Sequence, residues 1–218
     1  MRGLDMATVS SSLVLAEARS GDPRPAQDDD LSSNPRTGRR RSEQKRNRTM
    51  SDFTPLGRML HEEHIRTLAL MNALDTRTTG GSGKRPIDPA DPDDRQLLEE
   101  AVAAIDEEVN QHFGFEEAVL FPLIADRGAG DMTRLLTQEH AVISPLGKRL
   151  SEVVVRALES GFDGPGWSEF REVAQELVDR VTFHLQKEEM GIIQRLPLFF
   201  APATDRQLAN QYAEHRTG

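Results

Sequence analysis

Leu98, Val102, Ile105, Val109, His112, Glu116 and Val119 follow one another at intervals of 4, 3, 4, 3, 4 and 3 residues. That is the spacing of one face of an α-helix, and a long apolar face must be covered by other helices. A histidine and a glutamate occupy apolar positions in this seam. A second seam, Phe170, Val173, Leu177, Val181, His184, Glu188 and Ile192, repeats the arrangement, with the glutamate again four residues after the histidine. A bare carboxylate is expensive to bury. Both seams therefore require a partner for their glutamate as well as a cover for their apolar side chains.

Two further stretches supply such a cover. The first is predicted to be helical over about 55–74, with Leu60, His64, Leu68 and Met71 on its buried stripe and Ile65 beside it. The second spans about 131–160, with Leu136, His140, Ile143, Leu150 and Val154 near one face. Between the first two helices, residues 75–94 are too rich in Gly, Pro and Asp for regular structure. Asp91 and Pro92 form an N-cap and first-turn pair, with Asp94 favourable to the helix dipole. Pro122 and Gly128 are expected to end or kink the second helix, and Pro145 to bend the third or open its ladder. Residues 161–166 read as a turn before a fourth helix over about 168–196. The expected fold is all-α, an antiparallel up-and-down four-helix bundle over 50–197. Residues 198–218 form a tail with a short helix around 205–215. The halves of the bundle are alike: EEH at 62–64 and QEH at 138–140 come first, and HFGFEE at 112–117 and HLQKEE at 184–189 follow.

The chain has 218 residues and no cysteine, so disulfides and thiolate metal sites are excluded and any metal must be held by nitrogen and oxygen. No apolar run approaches membrane-spanning length. Residues 9–18 are too short and polar for a signal peptide, so a cytoplasmic location is expected. Residues 1–49 carry ten basic and seven acidic side chains, and 50–218 carry seventeen and twenty-nine. The acidic body should repel nucleic acid. The basic run Arg39, Arg40, Arg41, Lys45, Arg46, Arg48 reads as a solvated arm. Ser, Pro, Asp and Arg dominate 1–49, which is expected to be a disordered extension. Met50 starts MSDFTPLGRMLHEEH, which reads like a natural N-terminus.

Four helices brought together would direct His64, His112, His140, His184, Glu116 and Glu188 into one interior. Helical i, i+4 pairs share a face, and this donor set suits two metal ions. A buried hydrogen-bond network and plain surface positions are the other roles open to these residues. His61, three residues before His64, borders the same face as a further ligand, an outer donor or an exposed side chain. Glu63, Glu139 and Glu117 adjoin the candidates and are expected outside the ligand set, the first two at the surface. His215, in the tail, is expected to play no part.

At HEEHIRTLALMNAL, NQHFGFEEAVLFPLI, LLTQEHAVISPL and VTFHLQKEEMGII the chain resembles the hemerythrin-like family, also called the HHE cation-binding domain, over about 55–196. The resemblance implies two iron ions per chain, oxo- or hydroxo-bridged when oxidised. His64 and His112 would bind one and His140 and His184 the other, with Glu116 and Glu188 bridging. Manganese or zinc could occupy the same donors. The oxygen-carrying branch has a further histidine where this chain has Ser144, and an aspartate five residues after its last histidine, where this chain has Glu189. One imidazole fewer leaves a position open at the second iron. The function implied is a non-haem di-iron protein that senses or reacts with O2, NO or hydrogen peroxide. Iron storage or delivery, or a metal-dependent regulatory bundle, are the alternatives. The expected partner is a small diatomic ligand or peroxide, with no membrane and no nucleic acid.

Overall fold

The computed structural model describes residues 53–81 and 85–216. The chain divides into two units, 1–46 and 47–218, and every described residue belongs to the second. The basic run and the expected extension lie outside the described residues. Helix α1 spans Pro55–Thr78 and α2 Pro92–Asp106. The second arm continues through α3 (Phe113–Phe115) and α4 (Phe121–Ile124), with π-helical turns at Glu107–His112 and Glu116–Leu120. Then come α5 (Gly130–Ser160), α6 (Gly164–Gly191), the short α7 (Leu196–Phe199) and α8 (Pro202–His215). No strand occurs among the described residues.

Local sequence accounts for the helix starts. Thr54 accepts a hydrogen bond from the Gly57 amide, and Asp91 accepts from those of Asp93 and Asp94. Asp163 caps α6 by accepting from Gly166, with a proline in the first turn. The fourth helix therefore begins about four residues before the expected start: Asp163 and Pro165 are helix-initiating chemistry, not turn filler. Pro122 does not end the second arm: the backbone stays helical from Leu120 through Pro122 to Ala125. The break comes at Arg127 and Gly128, and Gly128 takes the left-handed φ of 91° that reverses the chain. Pro145 lies within α5, which runs unbroken through it.

The arms form a four-helix bundle in which α6 packs on α5 and α1, and α2 packs on the same two. Two apolar clusters fill its ends. Met71, Ile105, Ile143 and Val181 belong to one, and Leu60, Phe115, Leu136 and Ile192 to the other. Each arm passes from one cluster to the other, and successive arms do so in opposite senses, so the bundle runs up, down, up and down. Burying each such side chain contributes roughly 1.5–3 kcal/mol. The polar layer between the clusters holds the histidines and glutamates of the seams.

Several positions differ from the helical reading, and Val102, Val119 and Leu68 are half-buried rather than buried. Val109 is only half-buried, and its neighbour Glu108 goes inward at 8% exposure. The π-helical turn over Glu107–His112 explains this: its wider i→i+5 bonding, such as the Phe113 amide to the Glu108 carbonyl, rotates the face relative to α2. Ile65 points to solvent, and Glu63 and Thr67 are buried instead. The stretch set apart as a tail is packed. Leu208, Ala209 and Tyr212 of α8 join the cluster that contains Leu56, Leu60 and Phe115.

Candidate metal centre

His64, His112, His140 and His184 are each 1% exposed, and Glu116 and Glu188 are fully buried. They come from α1, the second arm, α5 and α6, one wall each, and meet in the polar layer. Nε2 of His64 lies 3.3 Å from Nε2 of His112, and Nε2 of His140 lies 3.0 Å from Nε2 of His184. Two imidazole pairs thus face each other across the bundle. The glutamates lie between them. Glu116 sets one oxygen 3.4 Å from His112 Nε2 and the other 3.5 Å from His140 Nε2. Glu188 sets one oxygen 3.4 Å from His64 Nε2 and the other 3.1 Å from His184 Nε2.

The donors form two clusters able to hold a metal ion, Glu116 with His140, His184 and Glu188, and His64 with His112 and Glu188. The fit to a cation is direct. None of the four oxygens of Glu116 and Glu188 has a hydrogen-bond partner among the described residues, and unpaired buried carboxylate oxygens are costly.

The outer nitrogens are fixed by four more carboxylates. His64 Nδ1 donates to Glu189 at 2.9 Å and His112 Nδ1 to Glu63 at 3.0 Å. His140 Nδ1 donates to Glu117 at 2.8 Å and His184 Nδ1 to Glu139 at 3.1 Å. An ionised carboxylate only accepts, so each Nδ1 carries a proton and each Nε2 faces inward, where its lone pair is open to a metal once any proton there has left. The bonds form a closed ring: α1 orients the histidine of the second arm, the second arm that of α5, α5 that of α6, and α6 that of α1. The expectation that Glu63 is a surface residue is overturned, whereas Glu139 is half-buried and both lie outside the two clusters. Glu63 is 5% exposed, and the hydroxyl of Tyr212, from α8, donates to it.

The remaining candidates lie outside the two clusters. His61 donates to Glu189 at 2.9 Å and stacks on Phe53, so it acts on the carboxylate that orients His64. Glu189 is the outer partner of His64, and Glu188, one residue earlier, is the carboxylate in both clusters. Ser144 lines a groove between α2 and α5. His215 lies beside Gly114 and the Phe115 ring, away from both clusters. Phe113 stacks flat on His140 with centroids 3.7 Å apart, closing that side of the layer.

Electrostatics follow from this arrangement. Burial works against a charge on His64, but Glu188 and Glu189 outweigh it and lift the imidazole to about 9. His184 rises to about 9 in the same way, with Glu188 opposing the burial. Burial and the neighbouring Glu188 push Glu116 up. Burial would also raise Glu188, but the surrounding imidazoles, His184 first, hold it well below the usual carboxylate range. Glu63, Glu139 and Glu189 are likewise lowered, their hydrogen-bonded partners overcoming burial.

An all-α four-helix bundle with His/Glu clusters between its arms defines a class of metal-binding helical proteins. Residues 56–196 match the Hemerythrin HHE cation binding domain, and the chain belongs to that family. A search of curated proteins returned no match to the chain.

Proposed function

We propose that the protein holds two iron ions between its four arms and that this centre senses or reacts with dioxygen, nitric oxide or hydrogen peroxide. In this reading His64 and His112 bind one ion, His140 and His184 bind the other, and Glu116 and Glu188 bridge them. One observation carries it: four imidazoles turn Nε2 inward with Nδ1–H already given to a carboxylate, around four carboxylate oxygens that lack partners. The imidazoles lie 3.1–3.5 Å from those oxygens without making a hydrogen bond to them, and cations seated between would satisfy both. Manganese or zinc suits the same donors, since affinity alone does not select iron. Family membership favours iron.

Bound iron would supply redox and Lewis-acid chemistry. The chain supplies the rest. It fixes six donors, excludes bulk water, and leaves a position without a protein nitrogen, because Ser144 stands where a fifth imidazole would be. That argues against reversible oxygen carriage and for reaction or sensing. A cavity of about 20 Å³ lies one helical turn from the donors, with Met71, Ile143 and Val181 in its wall. Its size fits a species of a few atoms and supports a diatomic ligand or peroxide over an organic substrate. The test is metal content together with the visible spectrum before and after peroxide. Two irons per chain and a peroxide-dependent spectral change are expected. Fewer than one tightly bound ion after iron reconstitution would overturn the reading.

A further inference from the structure

The six donors are closed off from solvent, yet a cation has to reach them. One end of the layer is sealed by Leu60, Phe115, Leu136 and Ile192, all fully buried, and Phe113 covers His140. Apolar walls of this kind offer a hydrated ion nothing to exchange its water for. Between α1 and the second arm the wall is different. A cleft of about 300 Å³ opens there, lined by Glu63, Glu100, Glu107 and Glu108 with Arg66, and with His112 among its lining residues.

Glu108 distinguishes this cleft from an ordinary acidic surface. It is 8% exposed, and it lines both the cleft and the 20 Å³ cavity beside the donors. The cavity also takes Thr67, three residues after His64, Ile143, three after His140, and Val181, three before His184. It is therefore the layer one helical turn from the ligand set. Thr67 Oγ1 donates to one oxygen of Glu108 at 3.0 Å. The other oxygen, Oε1, is buried and has no hydrogen-bond partner among the described residues. Arg216 pairs with Glu63 at 2.7 Å and also with Glu107. Glu108 has no ion pair with an arginine or lysine among the described residues; its electrostatic partner is the His112 imidazole, whose proton affinity it raises. A buried carboxylate with one oxygen free suits transient ligation of a dehydrating divalent ion.

We propose that the cleft between α1 and the second arm is the portal through which a divalent cation reaches the buried clusters, with Glu108 as the carboxylate that passes it inward. The Thr67–Glu108 hydrogen bond is the gate between cleft and interior. This rests on the reading of the clusters as a two-metal site, and the experiment separates the two.

Full-length protein stripped by chelation is mixed with Co²⁺, and uptake is followed by stopped-flow absorbance, with bound cobalt then counted. The wild type is expected to take two ions. Glu108→Gln, nearly isosteric, should load at least tenfold more slowly and reach the same two. Ala103→Arg, at an exposed position lining the cleft, should also slow loading without touching a buried group, so a folding defect in the first variant does not decide the matter. Glu176→Gln, exposed on α6, should load like the wild type. A wild type that takes fewer than two ions would overturn the two-metal reading itself. A wild type with two ions, and either cleft variant loading at the wild-type rate, would overturn the portal. So would loss of one bound ion in Glu108→Gln, since that would make Glu108 a permanent ligand.

Discussion

At the scale of single residues, the outer carboxylates decide how well the inner donors are aimed. Glu63, Glu117, Glu139 and Glu189 each hold one Nδ1–H and so fix one Nε2. Partners of this kind are worth roughly 10–100-fold in metal affinity. Glu139→Ala should therefore weaken metal binding by about that factor, as read by competition with a chromophoric chelator, and leave the helical circular dichroism unchanged. Glu139 also pairs with Lys187, at a half-exposed position where loss of an ion pair costs little stability. His215→Ala, remote from both clusters, should bind metal like the wild type. Equal affinities in the two variants would mean that the ring of carboxylates does not orient the histidines. A sign of the ring was present in the sequence. The glutamate beside each ligand position recurs in all four arms, as EEH, EE, QEH and EE. One position from a seam residue is about 100° round the helix, which on an isolated helix is the surface. In a four-helix bundle that flank faces the neighbouring arm, and there the carboxylate meets the next histidine.

At the scale of elements, the long seams were legible because burial imposes the 3.6-residue period on every arm, and all seven positions of the Phe170–Ile192 seam are buried. The π-helical turns in the second arm were not legible. No residue type marks them, and they change the phase only after the chain has committed to helix, so Glu108 rather than Val109 turns inward. The role of α8 was hidden for another reason. Its short apolar stripe, Leu208, Ala209 and Tyr212, gives a weak periodic signal, and its contacts are with residues far away in the chain. Asp205 at its first turn is 1% exposed and accepts a hydrogen bond from the Leu56 amide at 3.1 Å, satisfying one of the free amides at the start of α1. Asp205→Ala should lower stability by about 1–3 kcal/mol, the cost of stranding a buried donor. Leu208→Ala should cost about 2–5 kcal/mol through the cavity it leaves. Thermal melts of the metal-free protein check both. If α8 were only a loose tail, neither substitution would move the midpoint.

At the scale of the whole molecule, the site opposes the fold until it is filled. Two glutamates and four histidines in a dry layer are tolerated without metal in part because two of the imidazoles take up protons: His64 and His184 are both lifted to about 9 by carboxylates that outweigh their burial. The sign of the pH dependence follows. Below the unfolded histidine value of roughly 6.5 these groups are protonated in both states, and the stabilisation from their raised affinity for protons is fully present. As the pH rises through about 9 the folded protein loses those protons and that stabilisation with them. Metal binding runs the other way, because an ion must displace the protons to reach Nε2. The metal-free protein should therefore melt at progressively lower temperature between about pH 6.5 and 9, while apparent metal affinity climbs over the same interval. The gap in midpoint between loaded and metal-free protein should widen with pH. Melting curves of both forms at half-unit steps in a buffer that does not bind metal would decide it. A gap that stays constant across the interval would mean that His64 and His184 are neutral before the metal arrives, and their protonated resting state would be wrong.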